Sequence, residues 1–194
     1  MKKVVRLTES DLVRLVKKVL NEQSGMGFNI PSLGNQIDPN KLGEINSQLN
    51  GVGLRTQLSS EDVMELPSVM DCPIEEPSFS NPQDSKIFQQ LEPKIEMVKQ
   101  NVKGMKLGEV LSNLKLLNSK MKNKPNKMSE QAGAAIMIAG VAIPSGAILV
   151  VGGILVLILL SKLVGLMLGG GTKQNKDCER KQRLYNKYGP SGVV

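Results

Sequence analysis

The chain has 194 residues with a formal charge of +7, only 3% aromatic residues and 40% in the AVILMFWYC set. That length admits one or two small domains, while the shortage of aromatic side chains argues against one large soluble core. The chain contains no histidine, which removes His-based acid–base catalysis, His-containing zinc sites and Ser-His-Asp or Cys-His activation.

Cys72 and Cys178 lie far apart in unlike segments, a pattern that suggests neither a thiolate metal cluster nor a disulfide scaffold and allows an intracellular or virion-interior setting. No cofactor, metal ligand or catalytic residue is nominated. The expected fold is mainly α: short amphipathic helices, a long flexible acidic linker, and one transmembrane helix with a kink.

Residues 1–22 hold six Lys and Arg against three acids and read as an amphipathic leader helix. Thr8-Glu9-Ser10-Asp11 has capping-box spacing with Asp in place of Glu or Gln, and Leu7 and Leu12 can staple its flanks. Leu12, Val16 and Val19 share one face of a helix expected over Glu9 to Asn21, with Leu15 and Leu20 broadening that face. So short a helix needs a docking surface.

The stretch Val5-Arg6-Leu7-Thr8-Glu9-Ser10-Asp11-Leu12, continued by Arg14 to Glu22, resembles the N-terminal leader found on otherwise unrelated proteins of tailed bacteriophages, particularly large phages of marine or gut Bacteroidota. The resemblance covers about 22 of the 194 residues and implies phage origin. In phages with a maturation protease, similar capsid-targeting helices are removed after a Leu-x-Glu motif. Leu20-Asn21-Glu22 matches it, which makes Gln23 the first residue after the cut; an uncleaved helix is the plain alternative.

Residues 23–84 hold nine acids against two bases. Twelve Gly and Pro positions from Gly25 to Pro82 interrupt any sustained periodicity, so a flexible acidic linker is expected. Gly25-Met26-Gly27 and Gly51-Val52-Gly53 lack the strand-turn-helix setting and Walker lysine of a phosphate site. Glu61, Asp62 and Glu65 read as solvated linker acids.

Within residues 85–122, Phe88, Leu91, Ile95, Val98, Val102 and Met105 alternate spacings of three and four, forming an amphipathic face for a partner helix or for the chain's own core. Pro93 is placed to kink this helix. Leu107, Val110, Leu114, Leu117 and Met121 continue in a shifted register after Gly104, giving two short helices or one bent one. Residues 123–131 form a basic juxtamembrane linker, able to contact anionic lipid or phosphate but more often a solvated boundary.

Between Glu130 and Lys162 lie 31 uncharged residues, more than the roughly 20 that span a bilayer. Residues 132–168 are therefore read as a transmembrane or buried apolar segment. The main span is placed near Ala147 to Met167, with the Lys162 amine reaching toward headgroups. Ala132 to Ile143 is expected to be a helical lead-in, or one arm of a re-entrant hairpin turning at Pro144-Ser145-Gly146. In hydrocarbon every backbone group needs a partner, which favours helix over isolated strand despite the Ile and Val content. Ser161, Gly165 and Gly169 form a small-residue face suited to helix packing and self-association.

Residues 169–194 form a basic tail with a short surface helix around Lys176 to Tyr185. Tyr185 and Tyr188 could stack on bases or sit at an interface, weak evidence for nucleic-acid contact. The leading functional expectation is a nonenzymatic phage membrane-associated protein, carried in the virion and delivered during infection. The expected partners are an anionic membrane, phage structural proteins, a second copy of the chain and, weakly and nonspecifically, nucleic acid. Virion and host membrane are the expected locations, and flanking lysines balance too evenly to orient the span. The alternative is a soluble head, portal or tail protein with the apolar tract buried between subunits. A holin-like protein is a narrower third reading.

Overall fold

A computed structural model of the chain describes residues 37–79, 81–122, 135–169 and 178–188, all within one compact unit, Ile37–Val194. The expected leader helix with Leu20, Glu22 and Gln23, and the basic linker 123–131, lie outside the described residues.

Among the described residues the fold is mainly helical, with one helix long and apolar enough to cross a membrane. Helix α1 (Pro39–Gly51) starts at Asp38, whose carboxylate accepts the Asn40 N–H at 2.9 Å, with Pro39 in the first turn where a missing N–H costs nothing. Ser59 caps α2 (Ser60–Glu65), which continues into a 3-10 segment, Leu66–Asp71, with Pro67 in its first turn. Asn81 caps α3 (Pro82–Gly104), again with proline in the first turn. Residues 37–79 thus fold, where a flexible linker was expected, and Ile45, Leu49, Leu54, Leu58, Val63 and Leu66 are buried. Several of the prolines taken as signs of disorder mark helix starts. Helices of 13 and 6 residues are too short to show long periodicity or to stand alone, and they gain stability by packing.

Helix α3 accommodates Pro93 in its interior. The chain breaks at Met105-Lys106 and re-enters α4 (Leu107–Lys122), where the Glu109 carboxylate accepts the Lys106 N–H at 2.8 Å. The two-helix reading of the register shift describes this geometry.

Strands β1 (Ala135–Ile138) and β2 (Val141–Pro144) form an antiparallel hairpin, with Ile136 opposite Ile143 and Ile138 opposite Val141. This replaces the expected helical lead-in, and the reversal falls at Ala139-Gly140, ahead of Pro144-Ser145-Gly146. Both turn residues have positive φ, 52° and 79°, the two-residue arrangement whose twist suits a hairpin. The helix expectation assumed a hydrocarbon surround. Here β2 packs on α3, Ile136, Ile138, Val141 and Ile143 face inward, and the β propensity of Ile and Val is free to act.

A 3-10 turn, Ser145–Ala147, leads into α5 (Ile148–Met167), the axis of the fold. It packs against α4, the Leu66–Asp71 segment, α3, the last helix α6 (Glu179–Tyr188) and α1.

Candidate functional site

The features that could carry function are α5 with its cover and the clamp that holds α6. From Ile148 to Leu160 helix α5 carries only Ile, Leu, Val and Gly, so no face of that stretch can be turned to water; half-buried Lys162 and Leu166, 37% exposed, lie at its C-terminal end. Accordingly, 89% of its apolar window is buried inside the chain. Phe88, Leu91, Ile95, Val98 and Val102 are buried and Met105 is half-buried, all in the same hydrophobic core as α5. The stripe offered to a partner is therefore occupied by the chain's own core. At Gly152 the helices come so close that a methyl group would lie 3.1 Å from Met121 Sδ.

Part of the small-residue face is also used internally, while Gly169 is exposed. Ser161 is buried and its hydroxyl donates to the Leu157 carbonyl at 2.6 Å. Gly165 faces Pro67, and a Cβ there would lie 3.9 Å from the proline ring. Gly169, at φ 70°, ends the helix in the left-handed conformation that glycine adopts without penalty. Lys162 was expected to reach headgroups; its amine instead donates at 2.6 Å to the Lys103 carbonyl, in the last turn of α3.

Two asparagines position the hairpin. Asn101 Nδ2 donates to the Ala139 carbonyl at 2.9 Å, and the Ala139 N–H donates to Asn113 Oδ1 at 3.0 Å. A surface depression of about 670 Å³ beside them is lined by Met105, Glu109 and Ser112 as well. With both asparagines committed to the turn and Glu109 capping α4, it holds no nucleophile and base in contact.

The clamp on α6 is polar and covalent. Asp62, from α2, is 1% exposed. Its carboxylate accepts hydrogen bonds from Tyr188 Oη at 2.7 Å, Ser59 Oγ at 2.6 Å and Lys187 Nζ. Arg183 bonds Glu65 and lies 3.9 Å from Asp62. Burial opposes ionisation of Asp62, but the donors Lys187, Ser59 and Tyr188 outweigh it and hold the carboxyl below its ordinary range. Burial, then the bond to Asp62, pushes the Tyr188 hydroxyl well above the ordinary tyrosine value. Tyr188 is 1% exposed, which leaves no ring face for a base, and Tyr185 is half-buried beside it. The base-stacking expectation for Tyr188 is thereby overturned.

Cys72 and Cys178 form a disulfide across 106 residues of sequence, with Cα atoms 5.6 Å apart. This corrects the reading of two unrelated cysteines: spacing carries no information about a pairing that the packing of α6 on the Leu66–Asp71 segment creates. Lys99 is buried and donates to the Cys72 carbonyl at 2.8 Å. The Lys181 amine is buried with no hydrogen-bond partner among the described residues. Burial lowers its pKa first, the Lys99 charge adds to that, and Glu75 and Glu96 oppose it. A cavity of about 20 Å³ between Cys72, Lys99, Lys181 and Leu157 has room for one water and no larger ligand.

Sequence reading missed Asp62 as a structural acid, although Ser59-Ser60-Glu61-Asp62 repeats the capping spacing noticed at Thr8 to Asp11. Nothing local marks Lys99, Lys181 or the disulfide. No family model, curated protein or solved structure matches this chain.

Proposed function

We propose that this chain is a nonenzymatic structural protein of a tailed phage particle, with its apolar helix serving as the core of a self-contained body. One observation carries the reading: α5 is covered by α1, α3, α4, α6 and the Leu66–Asp71 segment of the same chain. A bilayer or a neighbouring subunit is not required to shield it. The phage assignment rests on the leader resemblance over residues 1–22.

The test has two parts. The purified full chain in detergent-free buffer should sediment as a folded species of defined size, with α5 amides the slowest to exchange; aggregation relieved only by detergent would overturn the self-contained body. Mass spectrometry of purified particles should find its peptides, together with either an intact leader or a mature end at Gln23. Absence from particles and presence in infected-cell membranes would replace the particle role.

A second reading, a membrane-associated protein delivered during infection, is favoured by a different observation. Ser161 satisfies its hydroxyl within α5, and the backbone of a 20-residue helix needs no new partner in hydrocarbon. Carbonate-resistant flotation with phosphatidylcholine/phosphatidylglycerol vesicles would support it, and recovery of all protein in the soluble fraction would remove it.

A further inference from the structure

We propose that Cys72–Cys178 is a reducible latch, opened by low-molecular-weight thiols, whose cleavage frees α6 and uncovers the middle of α5 around Ile154 to Ile158. This goes beyond the particle role and does not depend on it.

The placement of charge around the disulfide is the first argument. A structural staple is best surrounded by apolar groups, because disulfide exchange produces thiolates that burial disfavours. Here Lys99 is tied to the Cys72 carbonyl, and Lys181, three residues from Cys178, lines the same small cavity with Cys72. The Lys181 amine has no hydrogen-bond partner among the described residues. An ammonium group held there without a carboxylate contact is costly in the oxidised protein and favourable once a thiolate appears beside it. The opposing carboxylates are Glu96, 43% exposed and bonded to Lys99, and Glu75, which lines the same cavity but is exposed. Solvent screens both more than it screens the amines.

Access gives the direction of attack. Cys72 is 2% exposed, whereas Cys178 is only half-buried. An incoming thiolate forms a bond to Cys178 Sγ and breaks the Sγ–Sγ bond, so the electron pair leaves on Cys72 Sγ, the sulfur in the residue held by Lys99. A lower thiol pKa in the leaving group speeds this step. A second thiol then attacks the mixed disulfide and releases Cys178. The reductant's two thiols become one disulfide, and their two protons and two electrons convert the protein cystine to two cysteines.

The consequence follows from what α6 covers. It is a helix of 10 residues, too short to persist unaided. With the covalent tie cut, it is held by Leu184, by Tyr188 with its buried hydrogen bond to Asp62, and by ion pairs whose basic partners, Arg183 and Lys187, are 50% and 48% exposed. Ile154, Leu157 and Ile158 of α5 line the cavity beside Lys181 and Tyr185 of α6, so departure of α6 opens that stretch to water or to an apolar partner.

The experiment uses the full oxidised chain in glutathione buffers of graded ratio, with thiols trapped by alkylation and amide exchange followed by mass spectrometry. Reduction at millimolar glutathione under native conditions is expected, with exchange rising more than 10-fold in residues 179–188 and 154–158 while α3, α4 and the hairpin stay protected. Lys181→Met should slow reduction several-fold at pH 7 and shift the equilibrium toward the disulfide. The Cys72→Ser/Cys178→Ser chain should show the same local exposure without reductant. A disulfide untouched by glutathione until the chain unfolds would overturn the latch, as would reduction without local exposure, or exposure spread evenly through the fold. Equal reduction rates for Lys181→Met and the unaltered chain would overturn the role given to the amine. Because every readout concerns sulfur and local exchange, absence from phage particles would leave the latch standing.

Discussion

Two stretches of one apolar tract that share Ile, Val and Gly adopt opposite backbones: Ala135–Pro144 is a hairpin and Ile148–Met167 a helix. The hairpin half contains no leucine, alternates buried and exposed positions, and carries Ala139-Gly140 where a two-residue turn fits. The helical half is rich in leucine, from Leu149 onward, and is buried on consecutive positions. Leucine's unbranched Cβ suits a helix, while Ile and Val tolerate either backbone. The comparison teaches that apolarity located the core but did not choose its secondary structure. That choice depended on alternation, turn chemistry and the groups the neighbours could offer.

Five substitutions separate the two halves and the clamp. The largest effect is expected from Leu155→Asp, which places a carboxylate at a fully buried position of α5. About 5 kcal/mol or more should be lost, and the chain should fail to fold in urea-free buffer. The matched change Met137→Asp, at a hairpin position 55% exposed, should alter a urea melt by only about 0.5 kcal/mol. Equal sensitivity would mean the hairpin face is covered.

Next comes Asp62→Ala, which strands the Tyr188 hydroxyl and should cost about 2–4 kcal/mol. Its pH dependence follows from the depressed carboxyl. The stabilisation is fully present above the unfolded value of 3.8 and is lost as pH falls through the lower folded value, so the variant and the unaltered chain should converge in acid. Tyr188 acts in the opposite direction: with its folded value raised, its contribution holds below the unfolded value of 10.0 and fades in stronger alkali. Denaturant midpoints measured from acid to alkali would check both limbs.

Asn113→Ala should cost about 1–2 kcal/mol by removing the acceptor for the Ala139 N–H. Amide exchange should rise in 135–144 while α5 remains protected. A small gain is expected from Ala139→Gly, a stabilisation of about 0.5–1 kcal/mol because the turn holds an L-residue at φ 52°. A loss in the thermal midpoint would show that the buried methyl group outweighs the backbone relief.

Much of the helical plan was legible in the chain. The stripe Phe88 to Met105 and the break after Gly104 are local periodicities, the helix near Ala147 to Met167 is a local apolar run, and such local signals survive into the fold. Two kinds of feature were not legible. Pro39 and Pro82 read as breaks because the same residue type ends one element and begins another, and only the capping groups Asp38 and Asn81 distinguish the cases. The clamp was hidden for a different reason: Asp62 and Tyr188 are 126 residues apart, and no periodic signal reaches that far.

By itself the sequence determined which segment must leave water, that its backbone could be helical, and that histidine chemistry is absent. Those are consequences of side-chain transfer energies and of spacing along the chain. Tertiary structure alone decided what covers α5, that the preceding Ile and Val pair as strands, and that Cys72 meets Cys178. Each of these depends on groups distant in sequence meeting at atomic range, where packing and hydrogen bonds act.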